Sequence, residues 1–260
     1  MIQRALLFIA LSLSQISHAG LELGLGMSAA NIPHYLGSNE AETHFLPFPY
    51  LRYRSETINI DRSLIQTNLW HHGNWSLELS LGGAFKVDSD KSQARKGMDD
   101  LDFMLEVGPA LHYYFLGDRS KDNAMFIELP VRQALSTDFS QIHGRGFSIN
   151  PRIIWRRGYM IGPYEVRPEL SFGLRNGNEQ HHNYIYGVGN EFATEQRAQY
   201  AANSGYGGWQ AGYSTAVLWN NWLVAGFMRY SNINGAAFTD SPLVKQTDNV
   251  LVGLAAAMLF

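Results

Sequence analysis

Ser231 is the candidate for a catalytic nucleophile. It lies in a predicted strand, within the segment Arg229-Tyr230-Ser231-Asn232. A serine nucleophile needs a base within hydrogen-bonding reach to take its proton. The residue two positions earlier shares its face of the strand, and that residue is Arg229, which stays protonated. His112 and His143 fall on or beside other strands. A lipid hydrolase is therefore the least favoured of the functions considered, and we predict a protein that is not an enzyme.

Two pairs of adjacent histidines, His71-His72 and His181-His182, are the candidates for a metal site. Adjacent residues in a strand point to opposite faces, so neither pair can readily chelate one ion. We interpret both pairs as solvated loop histidines and predict no metal and no cofactor. The chain has no cysteine, which excludes disulfides and thiolate zinc sites.

Long segments of strict alternation between apolar and polar residues dominate the chain. In the clearest one, Trp75, Leu77 and Leu79 share one face while Ser76, Glu78 and Ser80 share the other. This two-residue period is typical of β-strands. Twelve strands are predicted, the one at 182–188 on the weakest pattern: 20–30, 45–54, 57–70, 75–87, 101–115, 124–136, 145–156, 164–174, 182–188, 206–219, 222–232 and 247–260.

Alternating strands also occur in β-sandwiches and in small soluble barrels, where the apolar faces point inward. Three features favour the opposite orientation here. The predicted strands are longer than those of most soluble proteins, aromatic residues cluster near their ends, and the polar faces are rich in Gly, Ser and Ala. Because strands can cross a bilayer only as a closed barrel, the pattern predicts an all-β, transmembrane antiparallel β-barrel of twelve strands, with ten as the alternative.

The two ends of the sequence agree with an outer-membrane location. Residues 1–19 resemble a secretory signal peptide, with a basic Arg4, an apolar stretch and the exit Ser17-His18-Ala19. Residues 20–260 would then form one barrel domain. The chain ends on Phe260 in an alternating strand, which resembles the C-terminal assembly signal of bacterial outer-membrane barrels.

Composition limits the partners. Lys and Arg number 20 against 23 Asp and Glu, and charged residues make up 17% of the chain. This balance offers no basic surface for nucleic acid, so the sequence predicts no nucleic-acid partner. Outer-membrane lipid is the predicted partner of the apolar faces.

Seven charged residues fall on the predicted inward faces of the strands. We interpret them as a network of ion pairs that plugs and stiffens a narrow barrel, since buried charges need partners. A small-solute channel is the alternative. The residues are Glu106, Glu128, Arg132, Arg152, Arg167, Glu169 and Arg229.

Connection lengths suggest a topology. The connections at 71–74 and 220–221 are tight, whereas those near 31–44, 88–100, 175–205 and 232–246 are long. Outer-membrane barrels place short turns in the periplasm and long loops outside. This assignment works for most of the chain. It leaves unresolved whether residues 45–70 form an odd or an even number of strands.

Short motifs in a consistent order resemble the MltA-interacting protein (MipA)/OmpV family of outer-membrane proteins. They begin with a loop and a proline-rich strand and continue to the C-terminus. The motifs are Pro33, Tyr35, Gly37 and Ser38; Leu46-Pro47-Phe48-Pro49-Tyr50; Gly97, Met98, Asp99, Asp100 and Leu101; 184–188; 241–244; and Phe260.

The resemblance implies an outer-membrane barrel that serves as a scaffold or interaction protein for peptidoglycan remodelling. Its implied protein partners are a lytic transglycosylase and a murein synthase, and a surface adhesin is an alternative. No family motif is a catalytic site. The motif residues are ordinary turn formers, so a structural role is favoured over direct contact with a partner.

Overall fold

A computed structural model describes residues 21–54, 58–60, 66–118 and 121–260. Within these ranges strands make up most of the chain. The predicted signal peptide at 1–19 lies outside the described residues. The strands are β1 (Leu21–Pro33), β2 (Ala41–Arg54), β3 (Ile58–Ile60), β4 (Gln66–His72), β5 (Trp75–Ala84), β6 (Phe103–Leu116), β7 (Ala124–Thr137), β8 (Ile142–Ile149), β9 (Arg152–Arg156), β10 (Tyr159–Ile161), β11 (Tyr164–Gly177), β12 (Gly205–Trp219), β13 (Trp222–Asn232) and β14 (Asp248–Leu259).

These strands form one antiparallel sheet that closes on itself. Apart from β8, β9 and β10, each strand pairs with its sequence neighbours, and β14 pairs with β1 over eight residue pairs. β8 and β9 both lie beside β7, and β9 and β10 both pair with β11. The fourteen described segments therefore occupy twelve positions around a closed β-barrel. No helix among the described residues is long and apolar enough to cross a lipid bilayer.

The predicted total of twelve agrees with the structure, but two of its parts do not. The predicted strand at 182–188 is wrong, because residues Glu179–Tyr186 form a helix, α1. Asn178 caps this helix by accepting a hydrogen bond from the backbone N–H of His181 at 3.1 Å. The predicted strand at 57–70 is two antiparallel strands, β3 and β4, and this extra reversal resolves the parity of residues 45–70.

The two ends of the barrel differ in their connections. At one end lie the start of β1, the end of β14 and tight connections, including 73–74 and 220–221. The other end carries four long connections, 34–40, 85–102, 178–204 and 233–247, which together we call the cap. We call the first end the short-turn end. The tight turns and three of the long connections lie where the sequence predicted them. The connection predicted near 31–44 is shortened to 34–40, because β1 and β2 extend into it.

Apolar side chains face outward and polar side chains face the lumen. On β5, Ser76, Glu78 and Ser80 are buried, while Trp75 on the other face is 43% exposed. The same alternation occurs on β6 and β11. The barrel therefore has the reverse of a soluble protein's arrangement, with many of its large hydrophobic side chains on its surface.

Aromatic residues concentrate near the short-turn end. Trp75 packs against Tyr113, and Tyr164 against Trp219, with ring centroids 4.6 and 6.0 Å apart. Trp222 lies at the same end, opposite Trp219. Tyr230 lies near the opposite end, where its ring is 5.3 Å from that of Trp209. The predicted aromatic belts are thus unequal, with most members on the short-turn side.

Candidate functional site: a capped and charged lumen

Glu128 on β7 is the centre of an ion network inside the barrel. Its carboxylate forms an ion pair with Arg152 and lies 4.0 Å from the guanidinium of Arg132. The Arg132 guanidinium also donates two hydrogen bonds to the hydroxyl of Ser80, at 3.0 and 2.7 Å. Glu128 is only 6% exposed. Its partners therefore offset the cost of removing the carboxylate charge from water.

Glu106 on β6 extends this network toward the cap. Its carboxylate lies 3.5 Å from Arg132 and accepts a hydrogen bond from Ser148 at 3.1 Å. Its other oxygen lies 3.8 Å from Nε2 of His181 on α1. The network therefore joins the barrel wall to the cap.

The remaining predicted network residues are placed differently. Arg167 forms an ion pair with Glu165, which was not predicted to take part. Arg167 and Glu169 lie on β11 toward the short-turn end. Arg229, on β13, faces the lumen but forms no ion pair with any residue that the structure describes. The structure thus joins four of the seven predicted residues, namely Glu106, Glu128, Arg132 and Arg152.

The cap has a hydrophobic core of its own. All four long connections contribute buried side chains, and the rings of Tyr186 and Phe238 stack with centroids 3.7 Å apart. Burial in this core raises the pKa of Tyr186 above its ordinary value. The buried members are Tyr35, Val87, Leu101, Tyr186, Val188, Ala202, Ile233, Ala236, Phe238 and Leu243. Such a core makes the cap a packed layer over the end of the barrel.

The first motif that carries the family resemblance lies within the cap, just after Pro33 ends β1. The Tyr35 hydroxyl donates a hydrogen bond to the Leu243 carbonyl at 2.9 Å. Gly37 has φ = 95°, a conformation that favours glycine, and its N–H donates to the Asn249 side chain at 2.7 Å. The Ser38 carbonyl accepts a hydrogen bond from Asn249 at 2.8 Å. These contacts tie the loop after β1 to the start of β14.

The second motif, residues 97–101, closes the loop between β5 and β6. Asp100 accepts a hydrogen bond from the Ser89 N–H at 2.9 Å, which together with nearby Lys86 lowers the pKa of its carboxyl group. The Asp99 carbonyl accepts from the Ser89 hydroxyl at 2.7 Å. Gly97 has φ = 79°, Met98 packs against the cap core, and Leu101 pairs with Val87. Both motifs therefore build the cap, although the sequence separates them by about 60 residues.

Arg95 ties this loop to α1 and was not predicted from the sequence. Its guanidinium donates hydrogen bonds to the Ile185 carbonyl at 2.9 Å and to the Asp99 carbonyl at 3.0 Å. The side chain is almost fully buried. An isolated arginine in a loop carries no sequence signal for such a role, because its acceptors are backbone carbonyls brought together by folding.

The interpretation of His181 and His182 as solvated is wrong. Both side chains are buried, because α1 packs across the lumen. His182 Nδ1 lies 2.7 Å from the Asn203 carbonyl oxygen. Burial lowers the pKa of His181 to about 4, and nearby Glu106 only partly offsets this. The cap sequence Asn178-Glu179 was the available signal for a helix here. His71 and His72 are exposed, as interpreted, but they end strand β4 and do not lie in a loop.

Acidification should loosen the cap through His181. Because its folded-state pKa lies below the usual 6.5, the open state binds more protons, and stability is lost as pH falls from about 6.5 toward 4. The loss is on the order of 3 kcal/mol. The protection factor of residues 179–186 in hydrogen exchange, which is the intrinsic rate divided by the observed rate at each pH, should therefore fall on acidification. A His181→Gln variant should lose this dependence, and His71→Gln should keep it. Identical profiles for the three proteins would contradict the assignment.

The side chains considered for catalysis and metal binding do not converge. On the strands beside β13, the residues opposite Ser231 are Gln210 and Asn249, and neither is a base. Within the described ranges no three His, Asp or Glu side chains are grouped so as to hold a metal ion.

A cavity of about 360 Å³ lies between the cap and the ion network. The cap contributes Tyr35, His181 and His182 to its lining, and the barrel wall contributes Glu106 and four arginines. Those arginines are Arg132, Arg152, Arg175 and Arg229. Arg175 was not predicted to belong to a site.

Comparison with known proteins identifies the family. The family model described as MltA-interacting protein MipA matches residues 25–260, which include the whole cap and nearly the whole barrel. A comparison with curated proteins found no significant match. The match contains every motif that carried the resemblance, from the loop after β1 to Phe260. The chain therefore belongs to the MipA family of MltA-interacting proteins.

Proposed function

We propose that this protein is a non-enzymatic outer-membrane β-barrel that serves as a scaffold for peptidoglycan-remodelling enzymes. The family match, which covers almost the whole described chain, is the observation that carries this proposal. The family's description points to MltA, a lytic transglycosylase, as the first partner. A murein synthase held by the same scaffold is the second proposed partner.

The apolar surface of the barrel supports placement in a lipid bilayer. Leu25, Leu170 and Leu254 are 64%, 45% and 69% exposed, and they belong to a band of exposed apolar side chains around the barrel. A continuous band of exposed apolar side chains is rare on monomeric soluble proteins. Residues 1–19 would direct the chain across the inner membrane. Phe260, whose N–H donates to the Leu23 carbonyl at 2.8 Å, would end the C-terminal assembly signal.

The proposed orientation puts the short-turn end in the periplasm and the cap outside. Short periplasmic turns and longer outer loops are the general pattern of such barrels. The aromatic residues near the short-turn end would then lie at the periplasmic interface of the membrane. Murein enzymes work in the periplasm, so their docking surface would be the short-turn end, including 73–74, 117–118 and 220–221.

The cap favours a scaffold over a small-solute channel. Its four connections pack into one hydrophobic core over the lumen, and the ion network lies inside the barrel beneath the cap. A conducting pore needs a continuous water-filled path, which this arrangement obstructs. An adhesin would have to use the outer surface of the cap, and no particular contact favours that role.

Crosslinking from opposite ends of the barrel tests this proposal. A photoreactive amino acid at Asn74 or Asn220, both in tight turns, would probe the short-turn end in intact cells. The same group at exposed Gln196 in the cap serves as the matched control. We expect a lytic transglycosylase to crosslink from the turns and not from the cap, as identified by mass spectrometry. Absence of murein enzymes from the products formed at the turns would contradict the scaffold proposal.

A further inference from the structure

Four arginines from four different strands line the cavity beneath the cap. They are Arg132 on β7, Arg152 on β9, Arg175 on β11 and Arg229 on β13. Two of them are neutralised, since Arg132 lies 3.5 Å from Glu106 and Arg152 forms an ion pair with Glu128. The two carboxylates of the network are therefore already committed to two of the four guanidinium groups.

Arg175 and Arg229 are left without a carboxylate partner among the residues that the structure describes. Arg175 donates one hydrogen bond, to the neutral side chain of Gln210 at 3.3 Å. Arg229 remains exposed, although it lies inside the barrel, because its side chain faces the cavity. It also experiences repulsion from the three other arginines. Two positive charges in a confined space thus lack compensation from the protein.

The other charged residues of the cavity do not supply this compensation. Glu42 and Asp102 line it on the cap side, and neither carboxylate forms an ion pair with Arg175 or Arg229. Lys86 is paired with Asp100. His181 is neutral at pH 7 because its pKa is about 4. The deep part of the cavity therefore carries a surplus of positive charge.

Small inward-facing residues leave room for a ligand beside these arginines. Gly82, Gly207 and Ser231 line the cavity, where larger side chains would fill it. A methyl group on Gly82 would meet the Glu106 carboxylate at 3.2 Å and Arg132 at 3.3 Å. The cavity volume of about 360 Å³ lies at the small end of the range for ligand sites, which begins at roughly 300 Å³.

We propose that this cavity binds a small oxyanion that carries at least two negative charges, held between Arg175 and Arg229. Guanidinium groups present paired N–H donors that match the oxygens of phosphate and carboxylate groups. A phosphate-bearing solute of a few heavy atoms supplies the missing charge and fits the volume. This ligand site is separate from the proposed scaffold function, which uses the opposite end of the barrel.

Calorimetric titration of the detergent-solubilised full-length mature protein with pyrophosphate tests this site. We expect binding that weakens with salt, and at least a tenfold loss of affinity in Arg229→Gln and in Arg175→Gln. Lys121→Gln, at an exposed lysine outside the cavity, is the matched control and should bind as the unaltered protein does. Absence of pyrophosphate binding to the unaltered protein, or equal affinity in all variants, would overturn the proposal.

Protection from phenylglyoxal, which modifies accessible arginines, gives a second measurement that needs no variant. We expect pyrophosphate to slow modification of Arg229, as mapped by mass spectrometry, while sodium chloride at equal ionic strength does not. Equal protection by chloride would indicate screening and contradict a specific site. Competition by phosphatidic acid in mixed micelles would assign the arginines to a lipid headgroup and would also contradict a small-solute site.

Discussion

Replacing Glu128 with leucine should lower the free energy of unfolding by about 3–5 kcal/mol, the range for breaking a buried ion pair from one side. Leucine has a similar size but accepts no hydrogen bond. Arg152 would lose its ion-pair partner, and Arg132 would keep one carboxylate neighbour, Glu106 at 3.5 Å. Denaturant unfolding of protein folded into phospholipid vesicles, followed by tryptophan fluorescence, measures the change.

Lys86→Met is the control for this prediction. Lys86 pairs with Asp100 at 2.9 Å, but both side chains are well exposed. Exposed pairs contribute up to about 1 kcal/mol, so this variant should remain close to the unaltered protein. A double variant, Glu128→Leu with Arg152→Met, should recover part of the loss, because it removes both charges of the pair. Losses of equal size for Glu128→Leu and Lys86→Met would show that burial does not set the energy of these pairs.

The barrel could be predicted from the sequence because its determinants are local. Alternation along β5, with Leu77 and Leu79 on one face and Glu78 and Ser80 on the other, specifies both a strand and the direction of its faces. Tight turns such as 73–74 and 220–221 contain the Gly and Asn residues that such turns favour. Neither signal depends on distant parts of the chain.

The cap could not be predicted, because its structure depends on contacts between distant segments. Residues 182–188 alternate weakly and so resemble a strand, but the end of the barrel offers no free edge to pair with them. The segment instead forms α1, capped by Asn178 and held by Arg95 from another loop. The burial of His181 follows from this placement, which no local pattern indicates.

The candidate site could be predicted from the sequence in part. Alternation along each strand was enough to predict that four charged residues face the lumen, namely Glu106, Glu128, Arg132 and Arg152. The structure brings them within 4.0 Å of their partners. Alternation does not reveal which charges pair across the lumen. Arg167 pairs along its own strand with Glu165, and Arg229 faces the cavity instead. The uneven distribution of pairs follows from the barrel's cross-section and not from the sequence of any single strand.

Introducing arginine at Leu170 should cost about 2–4 kcal/mol in a bilayer, the range for a cation on the lipid face near the midplane. Leu170 is the seventh of the fourteen residues of β11 and faces outward. A water-soluble barrel would give a different result, because the side chain is already 45% exposed and surface substitutions there change stability by about 0.5 kcal/mol or less. The two environments therefore predict clearly different losses for the same substitution.

Gln196→Arg is the matched control, since it adds the same charge at an exposed position of the cap. Ser80→Arg is unsuitable for comparison, because Ser80 accepts two hydrogen bonds from Arg132 and a second cation there would disturb the ion network. Denaturant unfolding of both variants in phospholipid vesicles measures the effect. We expect only Leu170→Arg to lose stability. Equal stability of Leu170→Arg and Gln196→Arg would contradict contact between the outer face of β11 and lipid, and with it the proposed membrane location of the barrel.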